Sequence, residues 1–220
     1  MYAFFDVDGT LLSLRSMISF HAFYCRQEYR PKGLGSLRTA GLVTRLGVAA
    51  QLGRDRLFLN QAFYRSFRGW TQASVRARAE EWFESIKRRE GLWLTPVRRA
   101  LEERKAQGYL PVFVSGSLDE ILVPVARELG VADCLATRLV LQDGRYTGEI
   151  EGPQMIGQGK ADALRTFLAE REALASECFA YGDHFTDVPM LEAVGHPVAV
   201  VGHARLAEHA HQRGWECLAT

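Results

Sequence analysis

The chain has 220 residues, 47% of them hydrophobic and 24% charged, with a formal net charge of +1. This composition excludes disordered, collagenous and disulfide-scaffold classes, and no apolar run approaches the roughly 18 residues that would span a bilayer. The length allows one sizeable core, or one core carrying an inserted lobe.

The first element, YAFFDV at 2–7, is an aromatic and β-branched run ending in an acid, and it predicts a buried strand. Because it lacks a basic leader region and reaches Asp6 at once, it reads as part of the fold and not as a signal peptide. Asp8-Gly9-Thr10 follow as a turn. From about 16 to 90, MISFHAFY, LVTRLGVAAQL, LFLNQAFYRSF and SVRARAEEWFESI space their apolar residues by three or four, which predicts a helical lobe with no strand of its own. Within it, the sparsely charged stretch Leu34–Gly53 reads first as a helix pair packed against its neighbours and second as a membrane-facing surface. Trp70, Trp82 and Trp93 read as lobe core.

Beyond the lobe the rhythm changes. Thr95 is expected to cap a helix with Pro96 at its first position, running to Gln107-Gly108. LPVFVS is a buried strand, a helix over 119–129 closes at Gly130, and Gln142–Arg145 is a hairpin turn into YTGEI. A helix from Gly159 to about Arg171, the strand ECFAYGD, a helix starting near Asp187 and the short strands PVAVV and WECLA complete the chain. Alternating strands and helices predict a parallel sheet covered on both faces, interrupted after its first strand by a lobe placed to act as a lid. Residues 13–90 hold 15 Lys/Arg against 6 Asp/Glu, whereas the remainder holds 12 against 20. An anionic ligand held between a basic lobe and an acidic body would suit that division; a solvated arginine-rich surface would produce it equally well. Cys25, Cys134, Cys178 and Cys217 form no C-x-x-C pair and are expected to be reduced in a cytoplasmic protein.

Three polar clusters fall where predicted strands end. Asp6-Val7-Asp8 places two carboxylates together, with Gly9 permitting the sharp turn that aims Asp8 inward. Ser115-Gly116-Ser117 offers a hydroxyl and accessible backbone N–H groups suited to phosphate oxygens. Asp183 and Asp187, four apart, suit a hard cation. Carboxylates converging at one sheet edge repel one another, which is the physical argument for a divalent metal.

FFDVDGTLL, then SGS, then Lys160 opening a helix, then GDHFTD and DVPMLEAVGHPVAV, resemble in order and spacing the haloacid dehalogenase superfamily, in its phosphoserine phosphatase-like branch. The resemblance covers the whole chain. It implies a Rossmann-like three-layer α/β/α core with a parallel sheet, spanning 1–14 and 91–220, and a helical C1-type cap at 15–90. It also implies a Mg2+-dependent phosphatase acting on a small phosphomonoester. Asp6 would be the nucleophile, forming an aspartyl-phosphate, and Asp8 the general acid and base. Thr10 would brace the loop. Ser115 and the Gly116 N–H would bind phosphoryl oxygens, and Lys160 would neutralise charge on Asp6. Asp6, Asp183 and the Asp8 backbone carbonyl would ligate the metal, with Asp187 holding its water or the lysine. Dehalogenase and phosphonate-cleaving members lack the second acid, so Asp8 favours phosphate hydrolysis over those chemistries. A phosphotransferase or mutase, and a non-catalytic binding module, are the alternatives. No nucleic-acid or membrane partner is expected, and monomer and homodimer stay open.

Two positions depart from the branch. Phosphoserine phosphatases carry a glutamate for the substrate amino group in the early cap, where this chain has Arg15. An arginine repels an ammonium and attracts a carboxylate or second phosphate, which disfavours L-phosphoserine; a hinge-surface role for Arg15 is the other reading. His184 stands where a small residue is usual, either contacting the leaving group or hydrogen-bonded at the rim. His203, His209 and His211 read as surface histidines on a helix.

Overall fold

The computed structural model describes residues 1–31 and 33–219. Seven strands form one sheet: β1 (Tyr2–Phe5), β2 (Leu110–Leu118), β3 (Asp133–Gln142), β4 (Arg145–Glu151), β5 (Phe179–Gly182), β6 (His196–Val201) and β7 (Glu216–Ala219), in the order β4-β3-β2-β1-β5-β6-β7. All neighbours are parallel except β3 and β4. Those two form the predicted hairpin, whose turn residues Asp143 and Gly144 both have positive φ (51° and 71°), as a two-residue turn matched to strand twist requires.

Side chains alternate across the sheet, so β1 and β2 feed two cores. Phe5 and Phe113 point into one, with Leu118, Ile121 and Val125; Phe4, Val112 and Val114 point into the other, with Leu164, Phe167 and Met190. The order reverses direction at β1: the chain moves outward through β2 and β3 on one side and through β5, β6 and β7 on the other. Open α/β sheets bind ligands outside the carboxyl ends of strands at such a switch point. Asp6 follows β1, Ser115 lies near the end of β2 and Asp183 follows β5, so the three clusters stand on adjacent strands at that edge.

Between β1 and β2 come α1 (Ser16–Glu28), α2 (Leu34–Gln51), α3 (Arg56–Tyr64), α4 (Gln72–Ile86) and α5 (Thr95–Ala106). The aromatic residues of the first four stack on one another: Tyr24 lies 3.7 Å from Trp70, Phe20 meets Trp82 edge-on, and the Trp82 indole N–H donates to Ser19. Trp70 and Trp82 are buried, as a lobe core requires. The lobe is also stitched to the hairpin: Gly69 N–H donates to the Tyr146 carbonyl and Tyr146 N–H to that of Trp70.

After β2 come α6 (Asp119–Glu128), α7 (Gln158–Glu170), α8 (Val188–Leu191) and α9 (Ala204–Arg213). Three local expectations change. Thr95 is the first residue of α5 and caps nothing; the capping position belongs to Leu94, and Pro96 alone favours the start. The strand ECFAYGD shortens to Phe179–Gly182, and the helix expected from Asp187 is a 3-10 turn over Phe185–Asp187 followed by one short turn.

Candidate active site

Asp6 leaves β1 buried, and Thr10 turns its hydroxyl back over it, 3.1 Å from Asp183 Oδ1 and 3.4 Å from Asp6 Oδ2. The return needs Gly9, whose φ is +85° and where a Cβ would stand 2.4 Å from Asp183 Oδ2. Lys160, in the first turn of α7, reaches across the edge and donates 2.7 Å bonds to Asp6 Oδ1 and Asp187 Oδ1. All three are buried, so the pairs are shielded from water. Asp187 is held at its other oxygen by the backbone N–H of His184.

Burial pushes the Asp6 carboxyl up to about 8 against the opposing charge of Lys160. Asp183 is likewise raised by burial and by Asp187. Burial alone would lower the Lys160 ammonium, but Asp187 and Asp6 outweigh it and hold the group charged. Asp6, Asp183 and Asp187 bring oxygens within 4.8 Å of one another. Three carboxylates thus face a single buried ammonium, and a hard divalent cation matches both the excess charge and the all-oxygen donors. The Asp8 side chain is not in that group: its Oδ2 accepts from Ser16 N–H at 3.0 Å, while its Oδ1 is buried without a partner among the described residues. Burial pushes this carboxyl up to about 6, with Ser16 opposing.

Ser115 is buried on β2, and its Oγ accepts from Ser117 N–H at 3.1 Å. The carbonyl of the same peptide unit, that of Gly116, accepts a 2.6 Å bond from the Tyr64 hydroxyl. Tyr64 and Asn60 both lie within 4 Å of the point a Gly116 Cβ would occupy. Arg56 donates from the start of α3 to Thr186 Oγ1 at 3.0 Å. These three lobe residues were not singled out from sequence, because Tyr64 sits in LFLNQAFYRSF and looks like one more apolar-face aromatic. Arg15, by contrast, is exposed just before α1, with no side-chain hydrogen bond or ion pair among the described residues. His184 caps the 3-10 turn: its Nδ1 accepts from Thr186 N–H at 3.1 Å, and its ring lies 4.6 Å from that of His203. Burial, then Arg56 and His203, lower its pKa to about 4. His203 begins α9 and His209 packs against Trp215.

The family model for haloacid dehalogenase-like hydrolases matches residues 3–192. A probable phosphatase of Mycobacterium tuberculosis is 34% identical over 98% of this chain and 74% of its own length. A phosphoserine phosphatase of the same organism is 33% identical over 97% and 69%. A Bordetella pertussis protein of unknown function has a crystal structure that superposes with a TM-score of 0.85 at 27% identity, covering 98% of this chain and 96% of that one. A match of this extent, on a sheet whose switch-point edge carries these carboxylates, means that the chain belongs to the haloacid dehalogenase-like hydrolases, in their phosphoserine phosphatase-like branch.

Proposed function

We propose that the protein is a Mg2+-dependent phosphatase that hydrolyses a small anionic phosphomonoester through an aspartyl-phosphate on Asp6. The observation that carries this reading is the different setting of two neighbouring carboxylates. Asp6 is held by Lys160 and Thr10, whereas Asp8 turns to Ser16 N–H and keeps one buried oxygen without a partner. Asp6 attacks phosphorus as the ester P–O bond breaks, and Asp8 gives its proton to the departing oxygen. Asp8 then takes a proton from the water that cleaves the aspartyl-phosphate, which releases phosphate and restores both acids. A carboxyl near 6 can donate and accept within one cycle around neutral pH.

Lys160, the Ser115 hydroxyl and the Gly116 N–H stabilise the phosphoryl oxygens, where charge accumulates. Asp6, Asp183, the Asp8 carbonyl and Asp187, the last directly or through water, would hold the cation, which when bound would supply positive charge to offset that of the phosphoryl group. Residues 1–14 and 91–220 form the catalytic body and 15–90 its lid. The lid selects the substrate: Arg56 at the site and Arg15 at the hinge favour a second anionic group over an ammonium. The four free cysteines suit a cytoplasmic setting.

The test is phosphate release from a panel of phosphomonoesters, with and without Mg2+, by wild type and Asp6→Asn. Turnover that needs the metal and disappears in the variant is expected, with substrates that carry a second anionic group and no ammonium ranking above L-phosphoserine. No turnover across the panel by folded, Mg2+-bound protein would remove the catalytic reading.

A further inference from the structure

α2 is the least buried long helix of the lobe. Only Gly35 and Thr39 of its 18 residues are buried, with Leu42 and Leu46 half-buried on the same stripe against α1. That stripe accounts for the expected packing against neighbours, made by one continuous helix and not by the expected pair. It leaves a second band, Leu34, Leu37, Gly41, Val48 and the following Leu52, at helical spacing on the solvent side. Leu37 is 71% exposed and Leu52 78%. Leu57 and Phe58 continue the apolar surface onto α3.

The charges around this band are mainly positive, and the acid at the corner, Asp55, is engaged in capping α3 by accepting from Phe58 N–H. Between Glu28 and Asp55 the chain carries five basic residues and no acidic one. Arg45 lies beside the band and Arg54 stacks over Phe58 at the α2–α3 corner, while Arg38 turns over the Tyr29 ring at the end of α1. A second copy seated face to face would place these guanidinium groups against their own images, which disfavours self-association through this face. A bilayer rich in anionic lipid complements both parts: the leucines enter the acyl boundary and the arginines meet phosphate headgroups. Among the described residues no helix is long and apolar enough to cross a membrane, and a contact through one face of α2 is one of lying on the surface.

We infer that the α2–α3 corner docks the protein on anionic lipid surfaces, with α2 in the interfacial plane. This departs from the expectation of no membrane partner and stands independently of the catalytic reading. Flotation of the full chain with phosphatidylcholine vesicles, with and without phosphatidylglycerol, tests it. The variants are Leu37→Gln/Leu52→Gln and Arg45→Gln/Arg54→Gln, all at exposed positions, with unchanged melting as the folding control. Wild type should float with the anionic vesicles only and be released by salt. The leucine pair should weaken partitioning by more than about tenfold, and each arginine removed by about fivefold. Failure to float with anionic vesicles, or equal flotation with neutral ones, would overturn the inference. If flotation fails and light scattering shows a dimer that the leucine pair converts to monomer, the face belongs to a second copy.

Discussion

The Tyr64 hydroxyl offers the sharpest perturbation of the site, because it holds a peptide unit and not the substrate itself. It donates to the Gly116 carbonyl at 2.6 Å and lies 3.3 Å from Thr137 Oγ1. The N–H of that peptide unit belongs to Ser117 and donates to Ser115 Oγ. One peptide plane is therefore pinned at both ends, and its far end orients the hydroxyl proposed to bind phosphate. Tyr64→Phe removes a single oxygen and leaves the buried ring in place, so no large cavity forms. The net hydrogen bond contributes about 1 kcal/mol, and leaving the half-buried carbonyl without a partner raises the cost towards about 3 kcal/mol. Thr137 can turn to recover part of this, so about 2 kcal/mol is expected. With a urea slope of about 2 kcal/mol/M, the midpoint falls by about 1 M. Activity should fall further than stability implies: a loosened Ser115 lowers kcat by about 10- to 100-fold with little change in KM. Urea denaturation and steady-state phosphate release on the same preparation measure both. If kcat stays within about twofold of wild type while the midpoint drops, the hydroxyl serves the fold alone and the positioning argument fails.

Gly9→Ala should lower stability by about 1–2 kcal/mol through its φ of +85°. It should also raise the Mg2+ concentration needed for half-maximal turnover, since the new Cβ displaces Asp183; an unchanged metal titration would remove Asp183 from the cation site. His21 is fully buried and its Nδ1 lies 2.9 Å from Thr39 Oγ1; burial, then Arg38, lower its pKa from 6.5 to about 4. Between those values the unfolded chain binds a proton that the folded chain does not, so this contribution to stability is lost as pH falls through the window. The slope is about 1.4 kcal/mol per pH unit, about 3 kcal/mol in all, and it should be missing from His21→Gln in urea titrations between about pH 7.5 and 4. Parallel pH profiles for the two proteins would refute it.

Most of the body was legible because its strands must be apolar where they are buried and polar where they end. YAFFDV, LPVFVS and ECFAYGD each carry the chemistry at the carboxyl end of a buried run. The adjacency of those ends comes from the order β2-β1-β5, which a single sequence does not display. What stayed hidden comes from the lid. Tyr64, Asn60 and Arg56 reach the site only because α3 lies over it, and helical periodicity assigns faces without saying what each face covers. Arg15 illustrates the converse: counting from the nucleophile singled it out, yet its exposure before α1 leaves it beside the hinge without a partner among the described residues.

What the charge division between lobe and body can do narrows in the same way. Ion pairs leave most of it in place: Arg78 pairs with Glu28 and Glu81 and Lys87 with Glu84, which uses two of the lobe's 15 basic residues, and Arg127 of α6 pairs with Glu80 of α4 across the seam. Of the others, Arg38, Arg45, Arg54 and Arg56 lie along α2 and at the α2–α3 corner. Among the described residues, Arg56 is the lobe cation that hydrogen-bonds the loop carrying Asp183 and Asp187. Exposed charges more than about 8 Å away are screened at physiological salt, so a basic lobe does not by itself hold an anion in the cleft. In the function proposed above, selection of an anionic substrate would therefore rest mainly on Arg56, which would leave the remaining positive charge to act on an outer surface. On the two proposals made above, the basic residues that suggested one anionic ligand from sequence divide between the site, through Arg56, and the outside of the lid, through Arg45 and Arg54.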